Sequence, residues 1–241
     1  MSYAWLIMRR ELAAYLRTPV GYVVAGVVLL IDGLFFNAFA VESRPKPSAE
    51  VLEAFFYFAS GTTMVAAILL SMRLIAEERQ RGSLVLLMAS PAREAEIVLG
   101  KFLASFLFLG CIIALTGYMP GLVFLRGKVA LGHILCGYLG LLLLGGAALA
   151  IGILGSSLTR NSLVAGVLAA AMLVTLLLGW LLAQITEPPV SDWLRYAALW
   201  QSHFQPFQQG ILQWRSVIYL LSLIYLSLTA AALALKGERW E

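Results

Sequence analysis

Six apolar runs constrain the fold of this chain more than any other feature of its sequence. They cover roughly residues 19–41, 55–76, 102–125, 131–158, 162–186 and 215–235. Each is long enough for an α-helix to cross the hydrocarbon core of a bilayer, which takes about 20 residues. The gaps between the runs are too short for a soluble domain. The sequence therefore predicts an all-α, polytopic membrane protein in which residues 1–241 form one domain with six transmembrane helices.

Composition agrees with burial in lipid. Only 12% of the 241 residues are charged, whereas soluble domains carry roughly 25%. The formal net charge of +4 is small and is what basic cytoplasmic loops give, so it does not indicate a nucleic-acid partner. Cys111 and Cys136 both lie in apolar runs. This placement argues against a disulfide framework or a zinc site.

The basic residues predict the orientation of the chain. With the N-terminus inside, 11 of the 17 Lys and Arg residues lie on the inner side of the six crossings. This bias predicts a multi-pass membrane protein with both termini cytoplasmic. The "AFA" at 38–40 is similar to a signal-peptide cleavage site, but the first run is too long and contains Asp32. We therefore expect a retained helix.

Residues 1–18, before the first run, alternate apolar and basic positions at near-helical spacing. This pattern predicts an amphipathic helix at the inner interface, with Arg9, Arg10 and Arg17 toward anionic headgroups. Pro19 marks a break before the first span. A frayed basic tail is the alternative interpretation.

The densest block of charge lies in the loop "EERQRGSLVLLMASPAREAEIVLGK" at 77–101. Gly82-Ser83 and Ser90-Pro91 are turn or cap signals, and "LVLLMA" (84–89) between them is too short to cross a bilayer. The loop therefore predicts a short helix with an apolar face, held in the cytoplasm. That face either docks on a partner protein or packs on the chain's own helix ends, and the sequence leaves both open.

This loop resembles the cytoplasmic loop of ABC-2 type exporter permeases. The N-terminal "RRELAAYLRTPVGYV" is similar to the interface helix and first span of that family. The block "SHFQPFQQGILQWRSVIYLLSL" (202–223), followed by "LKGERW", resembles the gliding-motility GldF and NosY branch, although Gln213 and Trp214 stand where an acidic turn is usual. The loop resemblance is carried by Glu77-Glu78-Arg79, Gly82-Ser83-Leu84, Leu86-Leu87, Ser90-Pro91, Glu96 and Gly100-Lys101.

The resemblance implies a mechanism. Two permease copies would pair with two copies of a separate ATPase, and the short helix of the 77–101 loop would dock into a groove on that ATPase. ATP and Mg²⁺ would bind the partner, so this chain would hold no cofactor and would not itself be an enzyme. The branch resemblance adds a bacterial inner membrane, cell-envelope work and a large periplasmic accessory subunit. The implied ATPase-coupling residues, as contacts or hinges, are Glu77, Glu78, Gly82, Ser83, Leu86 and Pro91.

The residues themselves lack a phosphate-binding loop. Gly100-Lys101 is followed by Phe102, and Gly127-Lys128 by Val129, so neither pair completes G-x-x-x-x-G-K-[ST]. Any ATP hydrolysis must therefore come from another chain.

Asp32 and Asn37 are the polar exceptions in the first run and are candidates for a conduit. An ionisable group in lipid is costly and is a functional candidate by default; alternatively, Asp32 is protonated, bonded to a neighbouring helix or close to the outer headgroups. An ion-coupled secondary transporter that uses Asp32 is the alternative function, although the spans offer it no acidic or histidine partner.

Small residues recur every four positions at Ala148, Gly152 and Ser156. Such a face favours close helix packing, although a sliding gate is also consistent with it. Six helices are few to enclose a large cargo, so we expect a homodimer. Lipid, polysaccharide, peptide and drug all remain open as cargo, and so does mechanical work on an accessory protein.

The outer segment 187–214 follows Pro188-Pro189 and is rich in aromatic residues, which gather at membrane interfaces. It predicts short helices on or in the outer leaflet, with His203, Phe204 and Phe207 as a candidate outer gate and passive anchoring as the alternative. Two other chemistries have little support. His133 and His203 are not spaced as haem ligands, and Ser156 and Ser157 lie far from either histidine in this topology.

Overall fold

The computed structural model describes residues 3–40, 47–84, 91–126, 130–187 and 190–238, and no strand occurs in these ranges. Two π-helical turns, Phe36–Ala40 and Trp200–Phe204, join the α-helices. The α-helices are α1 Tyr3–Arg17, α2 Pro19–Phe35, α3 Ser48–Ser71, α4 Ala76–Gln80, α5 Glu94–Leu115, α6 Tyr118–Arg126, α7 Leu131–Leu158, α8 Ser162–Ile185, α9 Val190–Ala197, α10 Gln205–Gln208 and α11 Trp214–Glu238.

Six of the described helical segments are long and apolar enough to cross a membrane. The predicted fold class and the predicted six spans are therefore confirmed. Two spans begin earlier than the apolar runs do, at Ser48 rather than 55 and at Glu94 rather than 102. The apolar run marks only the part of a helix suited to lipid, whereas backbone hydrogen bonding continues into polar turns such as the one that holds Glu94 and Glu96.

α7 lies at the centre of the bundle, against α3, α5, α8 and α11. Its glycines let neighbouring side chains approach its backbone. A Cβ at Gly152 would collide with Ser71 Oγ on α3, and a Cβ at Gly137 would meet the ring of Phe56. The small-residue face of this helix therefore packs within the chain, because no larger side chain fits there.

α1 packs along α5 instead of fraying. Ile7 and Met8 are buried, whereas Trp5 and Leu6 are exposed. A Cβ at Gly100 would lie 2.7 Å from the carbonyl oxygen of Ala4, so the glycine permits close contact between the two helices. The predicted N-terminal helix is thus present, and its apolar residues divide between the α5 contact and the surface.

Candidate functional site

Ser156 holds the break between α3 and α4. Its Oγ accepts hydrogen bonds from the backbone N–H groups of Ile75 (3.1 Å) and Ala76 (2.9 Å) and donates one to the carbonyl oxygen of Met72 (3.0 Å). Ser156 is fully buried. The hydroxyl of α7 thus takes up backbone groups that the interrupted helix leaves without partners, and this role, rather than nucleophilic chemistry, accounts for the serine.

Arg79 on α4 makes a second contact between α4 and α7. Its Nη2 donates to the carbonyl oxygen of Ser157 (2.6 Å), and its Nη1 donates to that of Thr159 (3.3 Å). Carbonyl groups at the end of a helix have no partner within the helix, and a basic side chain there also complements the helix dipole. α4 is therefore attached to the C-terminal end of α7.

Lys101 on α5 is the most buried charged residue among those described, with 1% of its side chain exposed. Its Nζ donates to Glu11 Oε1 (3.0 Å) and lies 2.9 Å from Glu78 Oε2 as an ion pair. Arg10 Nη2 donates to Glu11 Oε1 (2.7 Å) and to Glu78 Oε1 (2.9 Å). We call Arg10, Glu11, Glu78 and Lys101 the ionic cluster; its charges alternate in sign and join α1, α4 and α5.

Within the ionic cluster, electrostatics favour the charged forms of Glu11 and Arg10. Burial alone would raise the pKa of Glu11, but the charge of Lys101 and the hydrogen bond from Arg10 outweigh it and hold the pKa below its ordinary value. Hydrogen bonding to Glu11 raises the pKa of Arg10 against the opposing effect of burial. Removal of one member would leave a partly buried charge without compensation, which is costly.

Sequence reasoning missed the role of Lys101. It treated this lysine as one of the inner-side charges and as part of a glycine–lysine pair. The available signal was a lone lysine inside an otherwise apolar stretch, with Phe102 after it and Gly100 before it. The identity of its partners was not available, because Glu11 precedes it by 90 residues.

The structure brings four of the predicted coupling residues together around α4. Glu77 contacts Arg81 (2.6 Å) and Arg73 (3.4 Å), and Glu78 belongs to the ionic cluster. Gly82 has φ +71°, the left-handed conformation that favours glycine at the end of a helix, and Ser83 Oγ donates to the carbonyl oxygen of Glu78 (3.3 Å). The turn expected at Gly82-Ser83 is therefore present.

The two remaining predicted coupling residues are Leu86 and Pro91. Pro91 is exposed and precedes α5, which begins with the Glu96 carboxylate accepting the N–H of Arg93 (3.1 Å). Leu86, with all but the first residue of the predicted short helix at 84–89, lies outside the described residues. Leu84 is buried.

Asp32 and Asn37 occupy different environments. Asp32 is 3% exposed and accepts a hydrogen bond from Thr62 Oγ1 on α3 (2.6 Å), which matches the reading in which it bonds a neighbouring helix. Asn37 is exposed in the first π-helical turn. Beside Thr62 lies an apolar cleft of about 590 Å³ between α2, α3 and α8, lined also by Trp200 and Leu177.

The candidate outer-gate residues are packed inside the bundle. Phe204 and Phe207 are fully buried, and a Cβ at Gly140 of α7 would lie 2.5 Å from Phe207 Cβ. His203 stacks on the ring of Tyr219 with 3.8 Å between centroids. The expected short helices are present, but these residues fill the core, where apolar rings bury the most area.

His203 and His133 each use a ring nitrogen on the backbone. His203 Nε2 lies 2.9 Å from the carbonyl oxygen of Tyr196, and His133 Nε2 lies 2.8 Å from that of Gln208. Burial lowers the pKa of His203, Arg215 lowers it further, and the hydrogen bond to Tyr196 opposes both. Within the described ranges, no group of three or more His, Cys, Asp or Glu residues is arranged to hold a metal ion.

The fold and this site define a class: a multi-pass helical membrane protein in which the short helix α4 is attached to three other helices. Residues 32–236 match the family described as ABC-2 family transporter protein. The match covers most of the chain, so the chain belongs to this family, as a permease subunit of an ABC transporter and not as a catalytic one. A comparison with curated proteins gave no match.

Proposed function

We propose that this chain is the membrane subunit of an ATP-driven exporter, moved by a separate ATPase that docks on the 77–101 loop. The observation that carries the proposal is the attachment of α4. Ser156 and Arg79 tie it to α7, and the ionic cluster ties it to α1 and α5. A force applied at 82–91 therefore acts on three helices of the bundle at once.

The mechanism is a population shift. A nucleotide changes the permease only through a difference in how the ATPase binds its two states. Because α4 is rigidly attached, a displacement of the docked loop moves the helices of the bundle. A loop without these contacts would move on its own and leave the helices in place. Glu77, Glu78, Gly82, Ser83, Leu86 and Pro91 are the coupling residues in this proposal, with ATP and Mg²⁺ held by the partner.

The assembly that follows has two copies of this chain and two ATPase copies in a bacterial inner membrane, with both termini cytoplasmic. The apolar cleft between α2, α3 and α8 is open at the surface of one chain and supports a conduit completed by the second copy. Thr62 and Asp32 would supply its polar groups, and Asn37 its outer end. His203, Phe204 and Phe207 would form the outer gate by shifting against α7.

The gliding-motility GldF and NosY branch belongs to this proposal as well. It is supported by the block of His203, Phe204, Phe207 and Gly210, whose aromatic members pack on α7. Gly210 has φ +77° beside the ring of His133, so that position favours glycine. Cell-envelope work with a large periplasmic accessory subunit would follow from this branch.

Docking is tested by replacing residues 82–91 with a Gly/Ser linker. We expect the ATPase encoded nearest to this gene to co-purify with the natural chain and to be lost from the variant. The same replacement at 41–46, on the side predicted to be outer, is the control and should retain the ATPase. Equal retention by both variants would refute docking on this loop.

Coupling is tested separately from docking with Lys101→Met. This change leaves Glu11 and Glu78 without their buried cation but does not alter residues 82–91. We expect the ATPase to co-purify normally while transport-linked ATP hydrolysis falls at least severalfold. Lys236→Met, at an exposed lysine near the end of α11, is the control. Unchanged coupling in Lys101→Met would show that the ionic cluster does not transmit force.

The ion-coupled carrier is a second proposal, which rests on the burial of Asp32. It predicts that transport continues in cells without the ATPase and stops with Asp32→Asn. The ATP-driven proposal predicts the reverse for the ATPase deletion.

A further inference from the structure

A second cavity, which we call the inner cavity, opens beside the ionic cluster between α1, the start of α2 and the α3–α4 break. Its volume is about 690 Å³, a size typical of ligand sites, which span about 300–1,000 Å³. One part of its lining is apolar and includes Val20, Leu69, Leu70 and Leu74. The other part is charged, so the cavity is amphipathic.

The carboxylates of the inner cavity already have basic partners. Two of the three belong to the ionic cluster, where Arg10 and Lys101 contact them. The third, Glu77, contacts Arg81 at 2.6 Å and Arg73 at 3.4 Å. Four basic side chains and three carboxylates line the cavity, which leaves one positive charge in excess.

The exposed part of this charged lining is cationic. The side chains of Arg10, Arg73 and Arg81 are between 42% and 73% exposed. The three carboxylates are only between 15% and 27% exposed. A ligand that enters the cavity therefore meets guanidinium groups before it meets carboxylates, and the potential at the mouth favours an anion.

Arg73 lies close in the chain to the apolar lining. It follows Leu69 and Leu70 by one turn of chain, and among the described residues its polar contact is the long one from Nε to Glu77. Its terminal nitrogens therefore remain available as donors. A guanidinium binds phosphate oxygens through two parallel hydrogen bonds.

We propose that the inner cavity binds the headgroup of an anionic phospholipid from the inner leaflet, with Arg73 and Arg81 on the phosphate and an acyl chain along Val20 and Leu69. The side of the membrane rests on the proposed function. A free phosphate would leave the apolar lining hydrated, whereas a lipid covers it. Because the cavity lies between α1 and α3–α4, bound lipid stabilises the contact that the ionic cluster makes.

The test is a lipid titration of the full chain in detergent, read by native mass spectrometry with phosphatidylglycerol. The Arg73→Gln/Arg81→Gln double variant should lose roughly tenfold or more in affinity. Arg160→Gln/Lys236→Gln removes two exposed basic residues outside the cavity from the same predicted side and should change affinity by less than about twofold. Arg73→Lys/Arg81→Lys keeps the charge and should retain part of the binding, which guards against a folding defect.

Three results would overturn the proposal. An equal loss in the control variant would mean that general surface charge attracts the lipid. Equal binding of phosphatidylcholine would remove the role of the headgroup charge, and displacement of the lipid by millimolar inorganic phosphate would make this a site for free phosphate. The titration contains no ATPase, so loss of lipid binding and loss of ATPase co-purification can be told apart.

Discussion

Lys101 and His203 are two polar side chains that the bundle buries for different reasons. The ammonium group of Lys101 loses water at a cost of several kcal/mol and is compensated by two carboxylates. His203 has no such partner: its Nδ1 is buried without a hydrogen bond, while Nε2 contacts the backbone of Tyr196. Burial therefore favours the neutral imidazole at this position.

We predict that His203 makes the stability of the chain depend on pH. Its pKa in the fold lies below the ordinary 6.5, so an unfolded chain binds the proton more readily. The stabilisation is complete above pH 6.5 and is lost as the pH falls through the folded pKa. Between pH 7 and 5.5 we therefore expect the apparent Tm in detergent to fall.

His203→Gln isolates this effect, because the amide can still donate to Tyr196 but does not titrate. The fall in Tm between pH 7 and 5.5 should be smaller in the variant than in the natural chain. An identical fall in both would assign the pH dependence to other groups.

At the scale of helices, the interruption between α3 and α4 determines where the proposed coupling residues Glu77, Glu78, Gly82 and Ser83 lie. The helix does not end at a proline or at a glycine; turns occupy 72–75, and α7 supplies the partners for the freed backbone. This arrangement requires α3 and α7 to lie close together. Gly152, four residues before Ser156, permits that approach because a Cβ there would collide with Ser71.

We predict that Gly152→Val separates α3 from α7. Overpacking of this kind costs about 1–3 kcal/mol, so the apparent Tm in detergent should fall and α4 should lose its bond to Ser156. Gly132→Val on the same helix is the matched control, since nothing lies within 4 Å of a Cβ there. Ser71→Gly combined with Gly152→Val should recover much of the loss, and failure to recover would assign the cost to the valine itself.

At the scale of the whole molecule, α1 meets Glu78 of α4 and Lys101 of α5 at one end of the bundle. The aromatic segment that holds Phe204 and Phe207 packs on α7 at Gly140, away from that end. Because cytoplasmic loops hold the excess of Lys and Arg, the end with α1 should face the cytoplasm.

In a background with Cys111→Ala and Cys136→Ala, Trp193→Cys should react with an impermeant maleimide in intact cells, since Trp193 is 75% exposed. Arg81→Cys, at a side chain that is 73% exposed, should react only after the membrane is permeabilised. The opposite labelling pattern would invert the chain and move the proposed ATPase contact to the wrong side of the membrane.

Local pattern accounts for much of this fold. Run length predicted the six spans, and the glycine–serine pair predicted the turn at Gly82. The ends of the helices were harder to predict. α3 and α5 start earlier than their apolar runs because backbone hydrogen bonding continues into residues that are too polar for lipid. The burial of Phe204 and Phe207 was also missed, since an aromatic side chain suits an interface and a core equally well by composition.

The sequence by itself determined that the chain enters a membrane, how many of its segments can span one and which loop carries its densest charge, because hydrophobic length and charge are local properties. Only the tertiary structure decided which charges meet. Lys101 donates a hydrogen bond to Glu11, and Ser156 accepts one from Ala76 at the α3–α4 break; the partners in each pair are 80 or more residues apart in the chain. Such pairs depend on how closely α1, α3, α5 and α7 pack, and packing is a property of the whole bundle.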